Sequence, residues 1–157
     1  MKRNIFLHKF IATGFGSGYF PIAPGTAGAV VATAIWFCLS LFLSQCNLFV
    51  ATSLLIIIFT GLGVWSSGIM EKHLGKDPSV VVVDEMVGVW IPLLYVSDGN
   101  IYYMLASLVL FRLFDIFKPL GIRKMEKIEG GWGIMLDDIL AGIYSLIVIF
   151  VLKWIIG

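Results

Sequence analysis

Seven charged side chains stand out in an otherwise apolar sequence: Asp84 and Glu85, Arg112 and Asp115, Lys118, and the pair Asp137 and Asp138. Carboxylates drawn from separate segments are the donor set for a hard cation such as Mg²⁺, which prefers oxygen ligands, keeps several waters and commonly binds phosphate too. Arg112 and Asp115 are spaced i, i+3, so an ordinary ion pair on one helical face accounts for them equally well. Lys118 follows three residues later, just before the helix-ending Pro119, and is held at a helix end where it either meets a phosphate or snorkels. Adjacent carboxylates on a helix point about 100° apart. Asp137 and Asp138 therefore cannot serve one point identically, and one can ligate a cation while the other holds a water or a basic side chain. The competing explanation is helix capping, because acids are favoured at helix N-termini. Capping explains one acid per helix. It explains neither the two adjacent pairs nor Asp115, which falls near a helix C-terminus.

Two glycine-rich segments lie beside these acids. The first, Thr13 to Thr26, contains Gly14, Gly16, Gly18 and Gly25. Repeated glycine lets backbone N–H groups approach an anion. Ser17 and Thr26 add hydroxyls for a phosphate, and Thr26 is also placed to cap the following helix. A flexible re-entrant connector is the alternative. The second, Gly130 to Gly133, leads into Asp137 and Asp138 and reads as a tight loop delivering them to a buried site. Neither matches a nucleotide-binding P-loop. His8 is a further candidate for hydrogen-bonding a phosphate, although a packing or surface role is the commoner fate of such a histidine. His8 and His73 do not make a zinc site. Cys38 and Cys46 lie in or beside an apolar run with no metal or redox spacing.

The elements that must position these residues are membrane spans. Hydrophobic residues make up 59% of the 157 and charged residues 13%, about half the usual charge of a soluble domain, and mean hydropathy is +0.98. Such a surplus of apolar side chains must face something other than water, and lipid is the simplest candidate. A net charge of +1 excludes a nucleic-acid-binding field. Five stretches are long enough to consider: Ala27–Leu43, Leu48–Trp65, Val80–Val96, Ile101–Phe117 and Asp137–Ile156. The fold expected is an all-α integral membrane protein of about five transmembrane helices. A short amphipathic helix, Asn4 to Thr13, should precede them at the membrane interface. One domain is expected, with residues 1–26 as interfacial helix and glycine-rich loop and 27–157 as the transmembrane core. The first ten residues carry Lys2, Arg3, His8 and Lys9, and no cleavage site follows, so they do not read as a removed signal.

Basic residues orient the spans. Nine of the eleven Lys and Arg residues fall on alternate connections: Lys2, Arg3 and Lys9; Lys72 and Lys76; Lys118, Arg123, Lys124 and Lys127. The turns Ser44–Asn47 and Ser97–Asn100 have none. The exceptions are Arg112, inside a span, and Lys153, near the end of the last. That alternation puts the basic connections in the cytoplasm, and it brings all the acids to that one face.

Taken in order, four motifs resemble the phosphatidylglycerophosphatase A family: Ala12 to Gly18 with Pro24-Gly25-Thr26, Val83-Asp84-Glu85 with Gly88, Phe111 to Asp115 with Lys118-Pro119, and Gly130 to Asp138 with Ala141-Gly142. The match spans nearly the whole chain. The resemblance implies Mg²⁺-dependent hydrolysis of phosphatidylglycerophosphate to phosphatidylglycerol and phosphate at the bacterial inner membrane, with the site facing the cytoplasm and the phospholipid entering from the inner leaflet. It implies Asp84, Glu85, Asp115, Asp137 and Asp138 for metal, and Arg112 and Lys118 for phosphate. No obligate protein partner is implied. The rivals are another lipid-phosphate phosphatase, a phospho-alcohol transferase that also uses clustered acids and Mg²⁺, and a small cation transporter. A transporter would place acids near mid-membrane or on both faces; here they lie on one.

Overall fold

In the computed structural model, residues 2–97 and 99–156 are described, and all their regular structure is helical. The helices are α1 (Lys2–Ala12), α2 (Pro24–Ser40), α3 (Gln45–Leu74), α4 (Val83–Leu93), α5 (Ile101–Phe117), the single turn α6 (Ile122–Met125) and α7 (Gly131–Ile156), with a 3-10 turn at Ser17–Tyr19. Asp98, inside the expected Ser97–Asn100 turn, lies outside the described residues.

A helix occupies each of the five expected stretches, with different bounds. Two of them, α3 and α7, are long and apolar enough to cross a bilayer, and little of either is enclosed: 17% and 22% of their most apolar windows are buried. A core helix of a water-soluble domain would be mostly buried, whereas these carry exposed Leu54, Ile57, Ile58, Ile147 and Phe150. α3 runs past Trp65 because nothing breaks it before Gly75, which ends it with φ 96°. α2 begins at Pro24, with proline in the first turn and Ala23 as N-cap, so Thr26 lies inside the helix and does not cap it.

The expected third span contracts to the 11 residues of α4, all buried except Glu85. At 1.5 Å per residue it is roughly 16 Å long, about half the hydrocarbon thickness. It need not match that thickness, because its neighbours enclose it. Trp90 Nε1 donates to the Ala32 carbonyl of α2 at 2.9 Å, and Phe59 of α3 meets the Trp90 ring edge-on at 5.3 Å. Against α7 the approach is backbone to backbone. A Cβ at Gly142 would lie 2.4 Å from the Gly88 carbonyl oxygen, and one at Gly88 would lie 2.9 Å from that of Asp138. Helices in lipid gain no hydrophobic drive from meeting one another, so small residues that permit close packing take over that task.

The ends of the bundle are tied as the alternation of basic residues suggests. Lys153, one of the two exceptions, donates to Ser97 Oγ at 2.9 Å and to the Tyr95 carbonyl at 3.1 Å. Gln45 reaches the Val96 carbonyl at 3.2 Å. Both turns that lack basic residues thus sit together, at the end of α4 away from Asp84. α1 packs on α3: His8 is buried, 4.3 Å edge-on from Trp65, and shares a 3.4 Å hydrogen bond with Ser66. Phe6, Leu7 and Phe10 on α1 are exposed.

Candidate active site

Asp84 lies one helical turn before Gly88, and Asp138 one turn before Gly142. Residues four apart share a helix face, so the glycine contact that joins α4 to α7 also brings these two acids together. One carboxylate oxygen each from Asp84, Glu85 and Asp138 lies within 4.8 Å of the others. A cavity of about 280 Å³ opens over them, and its lining includes all five expected acids together with Arg112 and Lys118.

The cavity walls come from four stretches of chain: the start of α2, the α3–α4 connection with the first turn of α4, the end of α5, and α7. Asp84 and Glu85 occupy the first turn of α4. Arg112 and Asp115 arrive from the last turns of α5, where Arg112 donates to Asp115 Oδ2 at 2.5 Å and its other neighbour, Glu85 Oε1, is 3.9 Å away. Lys118 caps α5 in the left-handed conformation, φ 46°. Its Nζ donates to Asp137 Oδ2 at 2.6 Å and to Glu126 Oε1 at 2.8 Å. Burial alone would lower the pKa of the Lys118 ammonium, but the hydrogen bonds to Asp137 and Glu126 outweigh it and hold the pKa above the ordinary lysine range. Lys118 is therefore a cation at any pH near neutrality.

Asp137 and Asp138 do not sit at a helix N-terminus. The second glycine segment is not a loop beyond Gly130: α7 starts at Gly131, and neither acid is in its first turn. Capping is thereby removed as an explanation for this pair. The glycines have another cause. A Cβ at Gly131 would stand 1.8 Å from the Val64 carbonyl oxygen, and one at Gly133 equally close to that of Ile128. They are glycine because the chain packs there.

Four residues in the cavity lining were not singled out in the sequence: Ala23, Asp77, Ser79 and Val81. Asp77 belongs to the α3–α4 connection and has φ 46°. Three of the five described non-glycine residues with positive φ, Ala23, Asp77 and Lys118, line this cavity, as strained backbone tends to do at functional sites. Glu126, the second partner of Lys118, was also missed. Three expected phosphate contacts lie elsewhere. His8 is packed against α3. Ser17 Oγ donates to the Gly14 carbonyl at 2.9 Å, and both Ser17 and Thr26 line a separate apolar groove. The first glycine segment packs on the α3–α4 connection, where a Cβ at Gly18 would meet the Val80 carbonyl oxygen at 2.0 Å.

The donor set fits a divalent cation. Six carboxylates line the cavity against two cationic side chains, and buried charge of one sign is costly unless compensated. Asp84 Oδ1, Glu85 Oε2 and Asp137 Oδ1 are buried without a hydrogen-bond partner, as is Arg112 Nε. Unpartnered oxygens at a three-carboxylate cluster suit a hard cation, and the guanidinium and ammonium opposite suit an oxyanion.

Residues 10–153 match the family model described as phosphatidylglycerophosphatase A. A protein of Bacteroides thetaiotaomicron named "Putative phosphatidylinositol-3-phosphatase" is 54% identical over the full length of both chains. Proteins named phosphatidylglycerophosphatase A are 39% identical in Haemophilus influenzae, over 92% of this chain and 87% of that one, and 36% identical in Escherichia coli, over 86% and 77%. No solved structure matches.

Proposed function

The chain belongs to the phosphatidylglycerophosphatase A family and is a phosphoric monoester hydrolase, and we propose that it removes the terminal phosphate of phosphatidylglycerophosphate, in a Mg²⁺-dependent reaction, at the cytoplasmic face of the bacterial inner membrane. The observation that carries this reading is the convergence of Asp84, Glu85, Asp115, Asp137, Asp138, Arg112 and Lys118 on one cavity. The protein would sit in the bilayer as one domain. α3 and α7 span it, the 17-residue α2 and α5 are near the lower limit for spanning, and α4 is enclosed among them.

Asp84, Glu85 and Asp138 would hold the Mg²⁺. Bound there, the ion supplies neutralisation of phosphate charge and a lowered pKa for water in the site. The chain does the rest. Arg112, fixed by Asp115, and Lys118, fixed by Asp137 and Glu126, hold the phosphate oxygens that are not attacked. Asp137 is the base: Lys118 pins its Oδ2, while Oδ1 is buried and free to accept a proton. Water attacks phosphorus, its proton passes to Asp137, the phosphorus–ester oxygen bond breaks, the departing alkoxide takes a proton from solvent at the cavity mouth, and Asp137 returns its own proton to solvent. Phosphoryl transfer of this kind depends mainly on positioning and charge stabilisation. A covalent phosphoenzyme is not needed, because the acids are engaged as ligands or in ion pairs.

A second reading, a phosphoinositide 3-phosphate as substrate, is favoured by the name of the 54%-identical relative. Phosphate release by the purified protein from a panel of phospholipid monoesters, with Mg²⁺ and with chelator, separates the two. Release from phosphatidylglycerophosphate that stops on chelation is expected. Release from the phosphoinositide alone would replace the substrate assignment, and full activity in chelator would remove the metal.

A further inference from the structure

The acid cavity has an apolar neighbour. A groove of about 780 Å³ lies between the Ser17–Ile22 segment and α2, and the two hollows share one wall residue, Ala23. Tyr19, Phe20, Ile22 and Val30 line it, all of them exposed. A second apolar groove, of about 520 Å³, continues along α2 and shares Val31 with the first; Ala34 and Phe42 line its length. A single track thus runs from the acid cavity along the whole of α2, roughly 25 Å. Apolar surface is common on this protein, but this stretch is grooved and meets the acid cavity at Ala23.

We propose that this track on the outer face of α2 receives an acyl chain of the lipid whose phosphate monoester occupies the acid cavity. The proposal rests on the lipid-phosphate reading above and adds where the lipid tail lies. Ala23 makes the junction. Its left-handed conformation, φ 52°, turns the chain sharply into α2, so that one side of the bend faces the carboxylates and the other begins the groove. A monoester seated against Lys118 and Arg112 leaves its glyceride end to pass over Ala23 onto α2. A chain already surrounded by lipid gains no transfer term from the groove, only close van der Waals packing; loss of on the order of ten such atom contacts is about tenfold in kcat/KM.

The test uses the full chain in mixed micelles with Val30→Trp and Ala34→Trp. Both positions are exposed, so the added ring blocks the track without entering the core. Leu54→Trp on exposed α3 is the control. The ratio of kcat/KM for dipalmitoyl over dihexanoyl phosphatidylglycerophosphate should fall about tenfold or more in both groove variants and stay constant in the control. An unchanged ratio, or an equal fall in the control, overturns the track. A dipalmitoyl phosphate monoester carrying a chain diazirine gives a readout independent of hydrolysis. Adducts should concentrate on residues 19–42 and be competed by unlabelled lipid. Adducts spread over α3 and α7, adducts that do not compete as ordinary surrounding lipid would not, or protection of the track by a second copy of the chain each refute it. Competed adducts without hydrolysis of phosphatidylglycerophosphate would sink the substrate assignment and leave the track standing.

Discussion

Gly25→Ala separates positioning of the cluster from stability of the fold. A Cβ there would lie 2.1 Å from Glu85 Oε1 and 3.2 Å from an Arg112 terminal nitrogen, where ordinary contact begins at 3.4 Å. Gly25 is the second residue of α2 and does not have positive φ, so alanine carries no backbone penalty and favours the helix by roughly 0.5–1 kcal/mol. Overpacking costs about 1–3 kcal/mol, at the low end here because the obstructing group is the tip of a flexible side chain. The net change is about 0–2 kcal/mol, a shift of only a few degrees in Tm for a chain of this size. Glu85 nevertheless has to retreat by about 1 Å, and a misplacement of that size costs on the order of 100-fold in rate. The expectation is therefore a near-normal melting curve in detergent with kcat/KM down about 100-fold. Glu85→Ala alone should give a similar loss, and the double variant should be no worse than Glu85→Ala, since both changes remove one function. Wild-type turnover in Gly25→Ala would show that the position of Glu85 does not matter. A strictly additive double variant would show that Gly25 acts elsewhere.

Asp84→Asn, Asp115→Asn and Asp138→Asn should each lower phosphate release at least 100-fold while the proteins insert and purify normally; if two of the three turned over normally at saturating Mg²⁺, the cluster would not be the metal site. In a background with Cys38 and Cys46 replaced, Ser44→Cys should label with an impermeant reagent from outside intact cells and Lys76→Cys should not, and the opposite pattern would invert the topology. A chiral thiophosphate substrate hydrolysed in isotopically labelled water should give inversion at phosphorus. Retention, or a phosphoprotein trapped by acid quench, would establish a covalent intermediate and displace Asp137 as the base for direct attack.

The acids were legible because their surroundings are apolar: a carboxylate among valines and leucines is costly and therefore conspicuous. Asp84, Glu85, Asp115, Asp137 and Asp138 all reach the cavity, as do Arg112 and Lys118. Asp77 and Glu126 escaped notice because they sit in polar connections, where a charge costs little and signals nothing by itself. Their relevance appears only when α3, α6 and α7 are assembled around Lys118 and Asp137. His8, Ser17 and Thr26 were judged by chemical capacity alone, and capacity does not reveal direction. The glycines misled for a related reason. Glycine marks loops and close contacts alike, and Gly131 and Gly133 belong to the second kind. The length of α4 was hidden too, since a run of apolar residues looks the same whether lipid or protein surrounds it.

The enclosure of α4 has a consequence for how the proposed lipid enzyme would experience its own environment. Bilayers thicken and thin with acyl composition, and a lipid-facing helix must tilt or stretch its anchors to follow. α4 has no such obligation, because all its residues but Glu85 are buried in protein. The adjustment falls on the exposed flanks of α3 and the far half of α7, while Asp84 keeps its register with Asp138 through the main-chain contact of Gly88 and Gly142. The reactive centre would then be gauged by the protein and insulated from membrane thickness, so turnover should vary little across bilayers of different chain length even as melting temperature and helix tilt change.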